Sequence, residues 1–152
     1  MSARILAIDF GTKRIGLAVS DALGITAQGL PTLERVNLAK DLDRLRGLVE
    51  EYEVETLVVG NPISARGEET EMSRRAAAFA EKLRRATGRR VILWDERLTT
   101  AEAGRVLRQA GLSIHKRRQA RDRLAAVLLL SGYLDYLATQ AASSYPESGA
   151  VP

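Results

Sequence analysis

The chain has 152 residues, a formal net charge of +4 and no cysteine, which fits one domain and excludes a disulfide scaffold. We read no signal-peptide region at the N-terminus and no apolar run long enough to cross a bilayer, so we expect a cytoplasmic protein with no membrane partner. Of 23 basic residues, 19 are arginine, whose guanidinium group suits phosphate oxygens. This composition mildly favours a polyanionic partner, although biased codon use would produce it too.

Three short extended segments are predicted at the start of the chain. The apolar run over residues 5–8 is typical of a strand buried on both faces, and it ends in the carboxylate of Asp9. The apolar pattern resumes over residues 15–19, so the two runs predict a hairpin that turns near residues 11–13. A third segment, residues 25–33, contains a proline and is predicted to be an edge strand or its end.

Helices and strands are then predicted to alternate. Apolar residues at helical spacing predict a helix over residues 37–53, and residues 55–60 indicate a second buried strand. Another helix is predicted over residues 70–86, followed by a third buried strand at residues 91–94. A capping-box pattern predicts a further helix over residues 99–110.

The C-terminal third is predicted to hold a loop, a helix and a tail. Residues 113–121 carry many cations and few apolar side chains, which indicates an exposed loop. A last, largely apolar helix is predicted to begin at about Arg118 or Asp122. We expect residues 1–140 to form one α/β domain with helices on both faces of a mixed sheet, and residues 141–152 to form a disordered tail.

Acidic residues stand where strands end or a helix begins. Asp9 and Glu96 follow buried strands, and Asp122 opens an otherwise apolar helix. Because ligands gather at the carboxyl ends of parallel strands, these acids could share a site, where Mg²⁺ or Mn²⁺ would relieve their repulsion. Two such ions about 4 Å apart can assist phosphodiester hydrolysis. The alternatives are a backbone hydrogen bond for Asp9, an ion pair with Arg97 for Glu96 and a helix cap for Asp122.

Four motifs in order resemble the YqgF/RuvX family of RNase H-like nucleases. They are Asp-Phe-Gly-Thr-Lys-Arg-Ile-Gly-Leu-Ala-Val at 9–19, Val-Val-Gly-Asn-Pro at 58–62, Asp-Glu-Arg-Leu-Thr-Thr at 95–100 and Asp-Arg-Leu-Ala-Ala at 122–126. The resemblance covers about residues 4–137. It implies an RNase H-like fold with a five-stranded mixed sheet and a divalent-metal nuclease activity.

The resemblance also implies roles for individual residues. It places the catalytic, metal-binding triad on Asp9, Glu96 and Asp122, with Mg²⁺ or Mn²⁺, in two ions, as cofactor. A basic set is expected to contact nucleic acid, partly through the resemblance and partly because its members lie beside predicted metal ligands in the sequence. Three further residues are expected to let backbone approach the site. The basic set is Lys13, Arg14, Arg97, Lys116, Arg117, Arg118 and Arg121, and the three further residues are Gly11, Thr12 and Gly60.

Family resemblance implies the substrate class. Members are associated with 5′-end processing of pre-16S rRNA in ribosome assembly, and also with Holliday junction resolution. We expect pre-16S rRNA, with ribosomal precursor particles as partners and a monomer or homodimer. The family usually has leucine where this chain has Asn61, a polar residue that could touch the site. Two alternatives remain: an ATP-binding domain, because Asp-Phe-Gly-Thr also resembles a phosphate motif of actin-like ATPases, and a non-catalytic RNA-binding assembly factor.

Overall fold

A computed structural model describes residues 4–95 and 114–150, with side chains described for residues 4–95 and 120–141. Within those residues, five strands and three helices form one α/β layer structure. The helix predicted at residues 99–110 lies outside the described residues. In chain order the elements are β1 (Ile5–Phe10), β2 (Arg14–Ser20), β3 (Ala27–Glu34), α1 (Leu38–Glu51), β4 (Thr56–Asn61), α2 (Glu71–Thr87), β5 (Arg90–Asp95) and α3 (Ile114–Ala150).

The five-stranded mixed sheet that was predicted is confirmed. Its strand order is β3-β2-β1-β4-β5. The pairs β1–β2 and β2–β3 are antiparallel, as the predicted hairpin requires, whereas β1–β4 and β4–β5 are parallel and joined through helices. Because β1 is the central strand, Asp9 lies in the middle of the sheet. This agrees with its predicted place at the end of a strand that is buried on both faces.

Helices cover both faces of the sheet, and an apolar cluster lies on each face. Successive side chains of a strand belong alternately to one cluster and the other. On β1, Leu6 and Ile8 belong to the cluster beneath α1 and α2, whereas Ile5 and Ala7 belong to the cluster beneath α3. We call these the α1/α2 face and the α3 face. The alternation fixes which face each later residue of β1 occupies, so Asp9 belongs to the α3 face and Phe10 to the α1/α2 face.

Local capping explains where the first two helices begin. The Asn37 side chain accepts a hydrogen bond from the Lys40 amide at the start of α1. At the start of α2, Thr70 and Ser73 form a reciprocal capping box. Helix α2 ends at Gly88, whose φ of 69° is left-handed backbone that glycine adopts without strain.

The prediction that β5 is a buried strand was wrong. As the edge strand of the sheet it is only partly covered, and its Leu93 side chain is 39% exposed. A short apolar run has the same composition in a central strand and in a partly covered edge strand, so the sequence pattern did not separate them.

The prediction of a loop over residues 113–121 was also wrong, because α3 begins at Ile114. Arginine, lysine and glutamine are good helix formers, and a helical turn that carries few apolar residues has a loop-like composition. The helix continues to Ala150 through most of the segment predicted as a tail. The division into a domain at 1–140 and a disordered tail stays a prediction.

Part of α3 is long and apolar enough to cross a membrane by length and composition alone, contrary to our sequence expectation. This part is Ala120–Ala141, with a mean hydropathy of 1.3 over its most apolar window. Its residues Ala126, Leu129 and Leu130 are buried against the sheet in the α3-face cluster. In all, 33% of that window is buried inside the structure, and helices that pack on a sheet can meet the same criteria of length and composition.

A buried carboxylate at the start of α1 provides the first testable prediction. Asp41 is 1% exposed, and its two oxygens accept hydrogen bonds from Arg35 Nε and the Val36 amide, both at 3.0 Å. Because Asp41→Ala leaves both donors without this acceptor, we expect it to lower the free energy of unfolding by about 2–3 kcal/mol. Urea denaturation measures the change.

Asp43 supplies the matched control on the same helix. Its ion pair with Arg46 is long, at 3.7 Å, and the Asp43 side chain is exposed to solvent. We therefore expect Asp43→Ala to change the unfolding free energy by less than about 0.5 kcal/mol. Equal unfolding midpoints for the two variants would contradict the role given to Asp41.

Candidate active site

Two glycines allow α3 to lie directly on the sheet. A Cβ atom on Gly16 of β2 would lie 2.2 Å from the Asp122 carbonyl oxygen, and one on Gly29 of β3 would lie 2.6 Å from Arg123 Cγ. The first contact is with backbone, which cannot move aside independently of the helix. Glycine at residue 16 therefore sets the distance between β2 and α3 at Asp122.

The same contact places Asp122 on the face of the sheet that carries Asp9. Asp9 pairs with Gly16 across the antiparallel β1–β2 ladder, and both belong to the α3 face by strand alternation. Asp122 lies over Gly16. Two of the three predicted acids, separated by most of the chain, thus lie on one face of the sheet near the carboxyl end of the central strand.

The alternative interpretation of Asp122 as an N-terminal helix cap was wrong. Helix α3 begins at Ile114, so Asp122 lies more than two turns inside it. Its carboxylate instead accepts a hydrogen bond from Arg14 Nε, with Nε and Oδ2 2.8 Å apart. Each side chain of this pair is 24% exposed, so the pair is partly shielded from water but open to a ligand.

The carboxylates have the chemistry that a hard divalent cation needs. Such ions prefer oxygen ligands, and carboxylates supply both oxygen atoms and charge. Among residues 4–95 and 120–141, no three His, Cys, Asp or Glu residues group closely enough to hold a metal ion. The third predicted ligand, Glu96, lies outside the described residues, as does Arg97. In sequence Glu96 directly follows Asp95, the last residue of β5.

Comparison with known protein families assigns the chain. The family model described as "RuvX: Holliday junction resolvase" matches residues 3–136. The chain belongs to the RuvX family. It is a hydrolytic nuclease, as its family and its relatives indicate.

Curated relatives agree with this assignment. A protein of Koribacter versatilis is 52% identical over 87% of this chain and 86% of its own length, and one of Moorella thermoacetica is 52% identical over 88% and 96%. Both carry the name "Putative pre-16S rRNA nuclease". The relatives and this RuvX-family chain therefore align over nearly their whole lengths.

Solved structures confirm the RNase H-like fold. RuvC of T. thermophilus, in complex with a Holliday junction substrate, superposes with a TM-score of 0.52 over 84% of this chain and 91% of its own, at 17% identity. The Fowlpox virus resolvase, solved with Holliday junction DNA, superposes with a TM-score of 0.56 over 88% and 98%, at 12% identity. At these identities the likeness concerns the fold alone.

The β1–β2 turn of this RuvX-family chain is tight around its glycine. The Gly11 amide donates to the Arg14 carbonyl oxygen over 3.0 Å, and a Cβ on Gly11 would lie 2.6 Å from that oxygen. Thr12 and Lys13 are exposed at the tip of the turn. The Lys13 side chain is thus accessible to a nucleic-acid strand that approaches from solvent. Its predicted phosphate contact stays a prediction.

Strand β4 ends beside the acids with a small residue and a polar one. Gly60 is buried, pairs with Trp94 of β5 and belongs to the α3 face. Asn61 follows on the α1/α2 face by alternation, away from the face that carries Asp9. The proposal from sequence that Asn61 touches the acidic site is therefore not favoured by its register.

The predicted basic run is only partly described. Arg121 is exposed on α3, one residue before Asp122. Lys116, Arg117 and Arg118 belong to the same helix by backbone, and their side chains lie outside the described residues. Their predicted contact with nucleic acid stays a prediction.

Aromatic residues close the β5 side of the α3 face. The Trp94 ring lies edge-on to Tyr133, with centroids 5.2 Å apart, and contacts Tyr136 at 5.0 Å. Burial raises the pKa of the Tyr133 hydroxyl above its ordinary value. Trp94 is partly buried and packs against the α3-face cluster.

Sequence reasoning missed the role of Gly16 and the Arg35–Asp41 pair. An isolated glycine inside an apolar strand signals close approach of another backbone, and this signal was present at residue 16. Asp21 has a structural role: its Oδ1 accepts hydrogen bonds from the amides of Ile25 and Thr26. Those hydrogen bonds lower the pKa of the Asp21 carboxyl.

Proposed function

We propose that this RuvX-family nuclease is an endonuclease that processes the 5′ end of pre-16S rRNA with Mg²⁺ or Mn²⁺. The observation that carries this proposal is the placement of Asp9 and Asp122 on one face, with Asp122 lying over Gly16, the ladder partner of Asp9. Glu96 is proposed as the third ligand, since it directly follows β5 in the sequence. The curated names of relatives at 41–52% identity support the RNA substrate.

The proposed site divides its work among a few residues. The Asp9 and Asp122 carboxylates would hold the cations, and Arg14 orients the Asp122 carboxylate through its Nε–H. Lys13, exposed at the adjacent turn, would contact a phosphate of the bound strand. When bound, the cations supply Lewis-acid stabilisation of charge at the phosphodiester and favour deprotonation of water.

Cleavage of Holliday junctions is the second candidate, favoured by the family model, which describes a Holliday junction resolvase. Both substrates are nucleic acids, and acidic residues with hard cations act on either backbone. RNA differs in its 2′-hydroxyl, which a protein must contact to distinguish the two. No observation favours the ATP-binding or non-catalytic alternatives over these nucleases.

A side-by-side cleavage assay tests the proposal. Purified protein is incubated with a fragment spanning the 5′ end of pre-16S rRNA and with a synthetic four-way DNA junction, with Mg²⁺, with Mn²⁺ and with EDTA. We expect metal-dependent cleavage of the RNA fragment at one or a few positions. Preferential cutting of the junction would move the assignment to the second candidate, and no cutting of either substrate would overturn the proposed function.

A further inference from the structure

We refer to Asp9 and Asp122 together as the acidic pair. A cationic cleft lies on the α1/α2 face of the sheet, opposite the face that carries this pair. It has a volume of about 300 Å³ and lies between the end of β1, the β1–β2 turn and helices α1 and α2. None of the site roles proposed above uses its cations. Its wall combines aromatic, hydroxyl and cationic side chains: Phe10, Thr12, Arg35, Arg75, Phe79 and Lys82.

The cleft adjoins the acidic pair through the backbone of β1. Phe10 directly follows Asp9, and strand alternation sends the two side chains to opposite faces at the same edge of the sheet. Thr12 of the following turn lines the cleft as well. A strand that bends around this edge could therefore contact both the cleft and the acidic site.

Arg35 is held rigidly in the wall of the cleft. Its guanidinium carbon lies 4.5 Å from the centre of the Phe10 ring, which stacks on Phe79 at 4.1 Å. Its Nε donates to buried Asp41, and its Nη1 donates to the Gly11 carbonyl oxygen over 3.3 Å. A guanidinium has five N–H donors, so these contacts leave others for an anion. Fixing the guanidinium in advance reduces the entropy lost when it binds a ligand.

Two further cations from α2 line the same cleft. Arg75 pairs with Glu71 at 2.8 Å, but both side chains are more than half exposed, so this pair costs little to open. Lys82 lies two turns further along α2 and is exposed. Within the described residues, the Lys82 ammonium forms no ion pair or side-chain hydrogen bond. The cleft thus offers a fixed guanidinium, an exchangeable one and an unpaired ammonium.

We propose that this cleft binds a phosphate group of the nucleic-acid strand, on the other side of the sheet edge from the acidic pair. This inference rests on the proposed function, since it assigns a second contact to the same substrate. The chemistry recognised is a phosphate flanked by Arg35, Arg75 and Lys82, with the Thr12 hydroxyl as a further donor. A free phosphate or mononucleotide shares that chemistry, and the test below separates the two sources.

Lys82→Ala tests the cleft without disturbing packing, because the residue is exposed. Binding is measured by fluorescence anisotropy with a labelled single-stranded RNA, in an Asp9→Asn background and across a salt series. We expect affinity to fall about three- to tenfold and the slope of log K against log salt to decrease in magnitude by about one. Arg75→Ala should act in the same direction.

Lys40→Ala is the matched control, since Lys40 is an exposed lysine on α1 that does not line the cleft. We expect it to leave affinity and salt slope unchanged. If Lys82→Ala and Lys40→Ala give the same RNA affinity and salt slope, or if the Asp9→Asn protein does not bind RNA, the cleft proposal is overturned. If Lys82→Ala weakens binding of inorganic phosphate or a mononucleotide but not of RNA, the phosphate bound in the cleft does not come from a nucleic-acid strand. The proposal then fails.

These outcomes are distinguishable from failure of the proposed function. The binding readout does not depend on cleavage. A protein that cuts neither substrate but loses RNA affinity and salt slope through Lys82→Ala would refute the nuclease assignment and support the cleft. If the protein cuts RNA but its RNA binding is insensitive to Lys82→Ala and Arg75→Ala, the result would support the nuclease assignment and refute the cleft proposal.

Discussion

Asp9→Asn is expected to lower kcat for RNA cleavage by about 1,000-fold or more, because it removes a charged ligand from the proposed cation site. Loss of a metal's contribution to charge stabilisation is worth several kcal/mol in the barrier, which corresponds to that factor. Asparagine has nearly the same shape as aspartate, so the central strand should keep its packing. We therefore expect thermal unfolding to remain within a few degrees of that of the parent protein. Single-turnover cleavage assays and thermal denaturation measure the two effects.

Asp21→Asn is the control for this prediction. Asp21 accepts two backbone hydrogen bonds in the β2–β3 turn, at the end of the β1–β2 hairpin away from Asp9. An amide oxygen can accept the same bonds, so cleavage should stay near the parent rate. A rate for Asp9→Asn comparable to that of Asp21→Asn would show that the Asp9 carboxylate has no catalytic role.

Gly16→Ala is expected to destabilise the fold by about 3 kcal/mol and to reduce cleavage as well. The added Cβ would lie 2.2 Å from the Asp122 carbonyl oxygen, so α3 must move away from β2. That movement would displace the Asp122 carboxylate from Arg14. Urea denaturation measures the loss of stability, and cleavage assays below the unfolding transition measure the effect on the site.

Gly47→Ala provides the opposite expectation in the same chain. Gly47 lies inside α1 with no atom within 4 Å of the position that its Cβ would take. Alanine there should stabilise the protein by about 0.5–1 kcal/mol, because it restricts the unfolded chain and favours the helix. If Gly16→Ala unfolds at the midpoint of the parent protein, the close approach of α3 to β2 would be refuted.

Local patterns predicted most of the described fold. The hairpin of β1 and β2, the central position of Asp9 and the helices α1 and α2 were predicted from apolar spacing and turn residues. Errors occurred where the composition was ambiguous. Residues 113–121 were predicted to form a loop because they are rich in cations, although cations also suit an exposed helix, and α3 begins at Ile114. The edge strand β5 was predicted as buried because its apolar run does not report how well neighbouring elements cover it.

The acidic residues of the candidate site were predicted from the sequence, but their contacts were not. Asp9 and Asp122 were selected from sequence motifs, and the structure places them on one face. The contact between Arg14 and Asp122 joins residues 108 positions apart, and no periodic pattern spans that distance. Glu96 and Arg97 lie outside the described residues, so their roles stay predictions.

The sequence by itself determined the family, the order of the elements and the residues available for metal and phosphate chemistry. These properties depend on short-range periodicity and on motifs, which are written directly in the chain. Only the tertiary structure decided that Arg14 pairs with Asp122, that Gly16 sets the separation of α3 and β2, and that a cationic cleft adjoins the acidic pair. These features depend on strand register and on how a helix lies across a sheet, and such geometry arises only when distant segments pack together.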